Sequence, residues 1–102
     1  MPTPNSQAPT LEDIRAQRST ILAIALSHGA RNVRVTGSVA RGDASADSDV
    51  DLIVDLDEGR DVADLSVLIL DLQDTLGRRV DVLEVRRASR IAQLTLRDAV
   101  PL

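Results

Sequence analysis

Residues 49–55 read Asp-Val-Asp-Leu-Ile-Val-Asp, and this alternation constrains the fold more than any other segment. Val50, Leu52 and Val54 share one parity, whereas Asp49, Asp51, Ile53 and Asp55 share the other. Successive side chains of a strand point to opposite faces, so the segment predicts a strand with one buried face and one face rich in carboxylates. Such a strand belongs in a sheet that is covered on one side and open on the other.

The rest of the chain supplies the cover. Residues 1–9 are polar, contain three prolines and predict a disordered lead-in, which leaves residues 10–102 as one domain with one modest core. Thr10 is a candidate N-cap for a helix carrying Leu11, Ile14, Ile21, Leu22, Ala25 and Leu26 on one stripe, ended by Gly29. Residues 32–36 alternate as a strand, Gly37-Ser38 breaks it, and residues 39–42 predict a helical turn. After the Asp-rich strand, residues 61–76 predict a second long helix with Gly77 as its stop. Residues 78–85 predict a third strand, with Val80 and Val82 facing one way and Asp81 and Leu83 the other. Ser89 is placed to cap a last helix carrying Ile91, Leu94 and Ala99. The expected architecture is α/β (α+β), a small mixed sheet with helices packed on one face. With 43% apolar residues but no Phe, Tyr or Trp, the core must be built from aliphatic side chains.

Composition excludes several kinds of chemistry. The chain has no Cys, which removes disulfides and thiolate sites, and its single His, His28, removes multi-histidine metal centres. All 12 basic residues are Arg, so a Walker phosphate loop, which needs Lys, is absent. A net charge of −4 and the lack of aromatic stacking platforms argue against strong nucleic-acid binding by this chain alone. No signal peptide or membrane-length apolar run is visible, and a soluble cytoplasmic protein with no membrane association is expected.

Three features coincide on the predicted open face. Asp49 and Asp51 stand two apart on one strand, about 6.7 Å along the chain, with both side chains on the same side. Asp81 lies on a strand that would be about 4.8 Å away if the two pair directly. Gly37-Ser38 follows a strand and opens a turn, where bare backbone N–H groups hold anions. Clustered carboxylates need a cation, and Mg2+ takes oxygen ligands from one or two carboxylates together with substrate phosphates. Two such ions about 4 Å apart activate an attacking oxygen and stabilise a leaving pyrophosphate. In this reading Asp49, Asp51 and Asp81 are catalytic and metal-binding, and Asp81 also helps to deprotonate the acceptor hydroxyl. Gly37 and Ser38 bind the nucleotide phosphates.

Gly37-Ser38, ten residues, and then Asp49-Val50-Asp51 resembles the signature of the DNA polymerase β-like nucleotidyltransferase superfamily. The longer stretch GSVARGDASADSDVDLIVD, followed by a third Asp in RRVDVLEV, resembles its minimal nucleotidyltransferase (MNT) branch, over most of the chain from residue 33 onward. The resemblance implies a nucleotidyltransferase-like fold that uses Mg2+ and ATP. It also implies an antitoxin that adds AMP to a tyrosine of a partner HEPN-type toxin. All three expected aspartates are present. Arg41 occupies its place in GSVARG and is assigned to a phosphate, with a salt bridge to Asp43 or Asp47 as the alternative.

Other polar residues receive simpler readings. Arg86 and Arg87 are a solvated pair that could instead face the acceptor, His28 is a helix-dipole partner, and Asp55, Asp57 and Glu58 form a solvated loop. Two rival functions remain in view. One is a non-catalytic antitoxin that blocks its partner by binding, which should tolerate loss of Asp49 or Asp51. The other is a calcium-binding module, because Asp47, Asp49, Asp51, Asp55 and Glu58 occupy positions 1, 3, 5, 9 and 12 of an EF-hand-like loop. That match fails at position 6, where Leu52 replaces the required Gly. With no Tyr of its own and no residues left for a second domain, the chain is expected to present an open face that a partner protein completes.

Overall fold

The computed structural model describes residues 7–85 and 96–102. Two short helices come first, α1 (Leu11–Ala16) and α2 (Arg18–Ser27). They are followed by strand β1 (Ala30–Thr36), the single helical turn α3 (Gly37–Arg41) and strand β2 (Val50–Leu56). Helix α4 (Val62–Leu76), strand β3 (Val80–Glu84) and a two-residue strand β4 (Val100–Pro101) complete the order.

Local sequence explains most of these boundaries. The Thr10 hydroxyl accepts from the Asp13 N–H at 3.0 Å and caps α1. Asp61 caps α4 by accepting from Ala63 and Asp64 N–H, while the Asp64 carboxylate accepts from the Asp61 N–H at 2.9 Å, a reciprocal capping box. Gly77 stops α4 in the left-handed conformation, at φ 65°. The expected single N-terminal helix is instead two. Gln17 leaves helical geometry, and its N–H bonds back only three residues, to Ile14 O at 3.0 Å, a tighter turn that closes α1.

The strand order is β3-β2-β1-β4. β1 runs antiparallel to both β2 and β4, and β3 lies parallel to β2 after the α4 crossover. Helix α2 packs on β1, α4 on β3, and the two helices touch each other. Under them Ile14, Ile21, Val35, Leu52, Val54, Leu68 and Leu72 are buried in one aliphatic cluster, as the strand parity requires. Leu26, assigned to the apolar stripe of the first helix, is instead 64% exposed.

The opposite face is less open than the alternation implies. Ile53, between Asp51 and Asp55, is fully buried. Asp55 is part of β2 rather than a loop and accepts from Asn32 at 2.6 Å and from Arg34 at 3.3 Å. Asp57 pairs with Arg31 at 2.6 Å. The lead-in is also anchored at its end: Pro9 is buried, and the Gln7 carbonyl accepts from Arg78. The C-terminal helix expected from Ser89, together with Arg86 and Arg87, falls largely outside the described residues; Val100 and Pro101 pair with β1 as a strand instead.

Candidate active site

Parallel pairing of β2 with β3 sets Asp51 directly against Asp81, and antiparallel pairing with β1 sets it against Thr36 on the other side. The central carboxylate therefore sits in a row across three strands. Asp51 is half-buried and Asp81 exposed. Asp49 lies one residue before β2 rather than inside it, because the ladder opens at Val50, whose N–H donates to the Arg79 carbonyl at 2.9 Å. Burial raises the Asp51 carboxyl above its ordinary range, and the charges of Asp81 and then Asp49 push it further, while Arg41 partly offsets them. Asp49 and Asp81 thus both stand within electrostatic reach of Asp51.

Gly37 closes the row from above. Its backbone is left-handed, at φ 71°, and a Cβ there would lie 2.5 Å from Asp51 Oδ2. A residue with a side chain would be strained by its backbone and would also collide with the central carboxylate. Ser38 follows as the second residue of α3, half-buried, with its carbonyl accepting from the N–H groups of Gly42 and Asp43. Arg41, at the end of that turn, pairs with Asp43 at 3.4 Å and Asp98 at 3.8 Å. The Asp43 salt bridge weighed from sequence is therefore present, and the one to Asp47 is not among the ion pairs of the described residues. His28 caps the end of α2 and contacts Asp71 of α4 at 2.5 Å.

The donor set suits a hard cation, being carboxylate oxygen only. Among the described residues, however, no three carboxylate or imidazole groups converge closely enough to cage a metal by themselves. An oxygen-lined face of this kind fits Mg2+, which keeps part of its shell for substrate phosphates and water. The EF-hand alternative fails on geometry: residues 50–56 form a strand, so the proposed ligands cannot wrap around one ion.

Comparison with known proteins then decides the family. Residues 19–100 match the model of the nucleotidyltransferase domain, a span that contains the whole aspartate row. The chain belongs to the nucleotidyltransferase family. Protein adenylyltransferase MntA of Thermococcus cleftensis is 41% identical over 73 residues, covering 71% of this chain and 74% of that protein. A solved structure described as a minimal nucleotidyltransferase superposes with a TM-score of 0.80 at 47% identity, over 92% of this chain and 97% of that one. A complex of tri-AMPylated Shewanella oneidensis HEPN toxin with MNT antitoxin matches with a TM-score of 0.67, covering 85% of this chain and 69% of that chain. At 17% identity that last likeness speaks for the fold.

One residue beside the candidate site is not singled out by the sequence reading. Arg79 approaches Asp49, with Nε 3.0 Å from Oδ1. Its signal was available: it shares the parity of Asp81, two residues on, and so the same face. No helix among the described residues is long and apolar enough to cross a membrane.

Proposed function

We propose that this nucleotidyltransferase transfers AMP from ATP to a hydroxyl of a partner protein, a tyrosine of a HEPN-type toxin, and silences that toxin as its antitoxin. The observation that carries the reading is the row Thr36-Asp51-Asp81, with Gly37 pressed against its central carboxylate. The MntA relative supports protein adenylylation, and the fold shared with the HEPN–MNT complex supports the toxin partner.

In this reading Asp49 and Asp51 hold Mg2+, with Asp81 as a further ligand. When bound, the metal neutralises the phosphates and stabilises charge on the attacking and leaving oxygens. The chain's own residues do the rest. The left-handed Gly37 lets backbone and Ser38 approach the phosphates without a side chain in the way. Asp81, exposed at the end of the row, accepts the acceptor's proton. The acceptor oxygen then bonds to the α-phosphorus as the bond to pyrophosphate breaks. Arg41 stands close enough to temper the Asp51 charge and is assigned to the phosphate side.

A direct test is to supply toxin, Mg2+ and ATP labelled at the α-phosphate to wild type and to Asp51→Asn. Label on the toxin with wild type alone supports the reading. If Asp51→Asn silences the toxin as well as wild type does, the chain acts by binding and the catalytic reading is wrong.

A further inference from the structure

Arg79 and Asp49 meet just before the ladder that pairs Asp51 with Asp81. Val50 pairs with Val80 in parallel register, so the residues one step earlier, Asp49 and Arg79, face each other at the mouth of the ladder. Arg79 Nε lies 3.0 Å from Asp49 Oδ1, and its Nη2 donates to the Asp47 carbonyl at 3.1 Å. The Nε–H is not aimed at the carboxylate. Asp49 Oδ1 is shielded from solvent and, among the described residues, accepts no hydrogen bond. The contact is therefore one of charge, without the directional bond that makes an Arg–carboxylate pair strong.

A shielded, unbonded carboxylate oxygen is costly unless a cation faces it. Arg79 supplies that cation, yet its side chain is 75% exposed and bound to Asp49 by charge alone, so it is easily displaced. We propose that Arg79 is a displaceable counter-ion, which neutralises Asp49 in the metal-free enzyme and withdraws to solvent when a divalent cation takes that oxygen. This rests on the assignment of Asp49 as a metal ligand. Two cations cannot share one oxygen without repulsion, so metal entry must break the pair and metal affinity is lowered by its strength. The effect of an exposed pair on an equilibrium is roughly two- to fivefold.

The test is calorimetric titration of Mn2+ alone, without nucleotide, into wild type, Arg79→Ala, Arg79→Lys and Asp49→Asn, with folding checked by circular dichroism. Arg79→Ala should bind about two- to fivefold more tightly at low ionic strength. The advantage should fade near 1 M monovalent salt, where the screening length is about 3 Å. Arg79→Lys, which keeps the charge, should stay near wild type, and Arg79→Gln substitutes if the alanine variant does not fold. Unchanged or weaker binding by the uncharged variant, with wild-type binding intact, overturns the counter-ion role alone. Wild type that binds no metal, or Asp49→Asn that binds as well as wild type, overturns the ligand assignment beneath it.

Discussion

Gly37 and Asp51 share one space: a Cβ on the glycine would lie 2.5 Å from the aspartate's Oδ2. Because φ at Gly37 is also 71°, Gly37→Ala is penalised twice, by its backbone and by displacement of the central carboxylate. The variant is expected to lose about 1–3 kcal/mol of stability, and its transfer rate should fall by about a hundredfold or more, since misplacement by an ångström suffices for that. Thermal melting and a labelled-ATP assay check the two halves. Wild-type transfer by Gly37→Ala would remove this contact from the mechanism.

Asp51 should destabilise the metal-free fold. Its carboxyl is raised in the folded protein by burial, Asp81 and Asp49, so the fold favours the protonated form. Stability from this group is therefore fully present below the unfolded value near 3.8 and is lost as pH rises through the folded one. Asp51→Asn removes that loss: without divalent metal it should melt above wild type at neutral pH, and the gap should close as the pH is lowered toward 4. Melting curves across that range, in chelator, are the measurement. A neutral-pH variant that melts below wild type would show that the carboxylate is already well compensated.

The capping box of α4 predicts a stability loss with no loss of chemistry. Asp61→Ala removes the acceptor for the N–H groups of Ala63 and Asp64 and should lower stability by about 0.5–2 kcal/mol. Asp64 has its carboxyl lowered, chiefly by the Asp61 backbone N–H, so its contribution is present above the unfolded value and lost as pH falls through the folded one. Denaturant titration should show the Asp61→Ala deficit at neutral pH, while transfer well below the melting temperature stays near wild type. A matching loss of transfer would tie α4 to the site directly.

Ligand should stabilise most as a pair. Mg2+ with ATP is expected to raise the melting temperature of wild type through binding to the folded state, and Ca2+ alone should do far less. The reasoning is that the carboxylates do not by themselves cage an ion, so metal alone binds weakly and phosphates add the ligands that tighten it. Strong stabilisation by Ca2+ without nucleotide would contradict that.

How far the sequence could be read depended on whether a feature was local. The faces of β2 and β3 follow from parity, so Asp51 and Asp81 were legible as same-face carboxylates, and α4 was bounded by Asp61 and Gly77. Register is not local. That Asp81 stands opposite Asp51 depends on a parallel pairing made across α4, and no residue in either strand announces it. The break at Gln17 carries no Gly or Pro to mark it, and β4 is two residues long, one of them a proline at the sheet edge. Asp55 looked like loop because its partners, Asn32 and Arg34, lie some twenty residues earlier. Arg79 shares the parity of Asp81, but only the pairing at Val50 shows that it faces Asp49.

The central claim is that the aspartate row transfers AMP to a partner protein. Its most direct measurement is the intact mass of the HEPN-type toxin after incubation with this chain, Mg2+ and ATP. The account predicts a gain of whole AMP residues on the toxin, none on this chain, which contains no Tyr, and none with Asp51→Asn. An unmodified toxin, with AMP instead on nucleic acid, on a small molecule or on this chain itself, would contradict it.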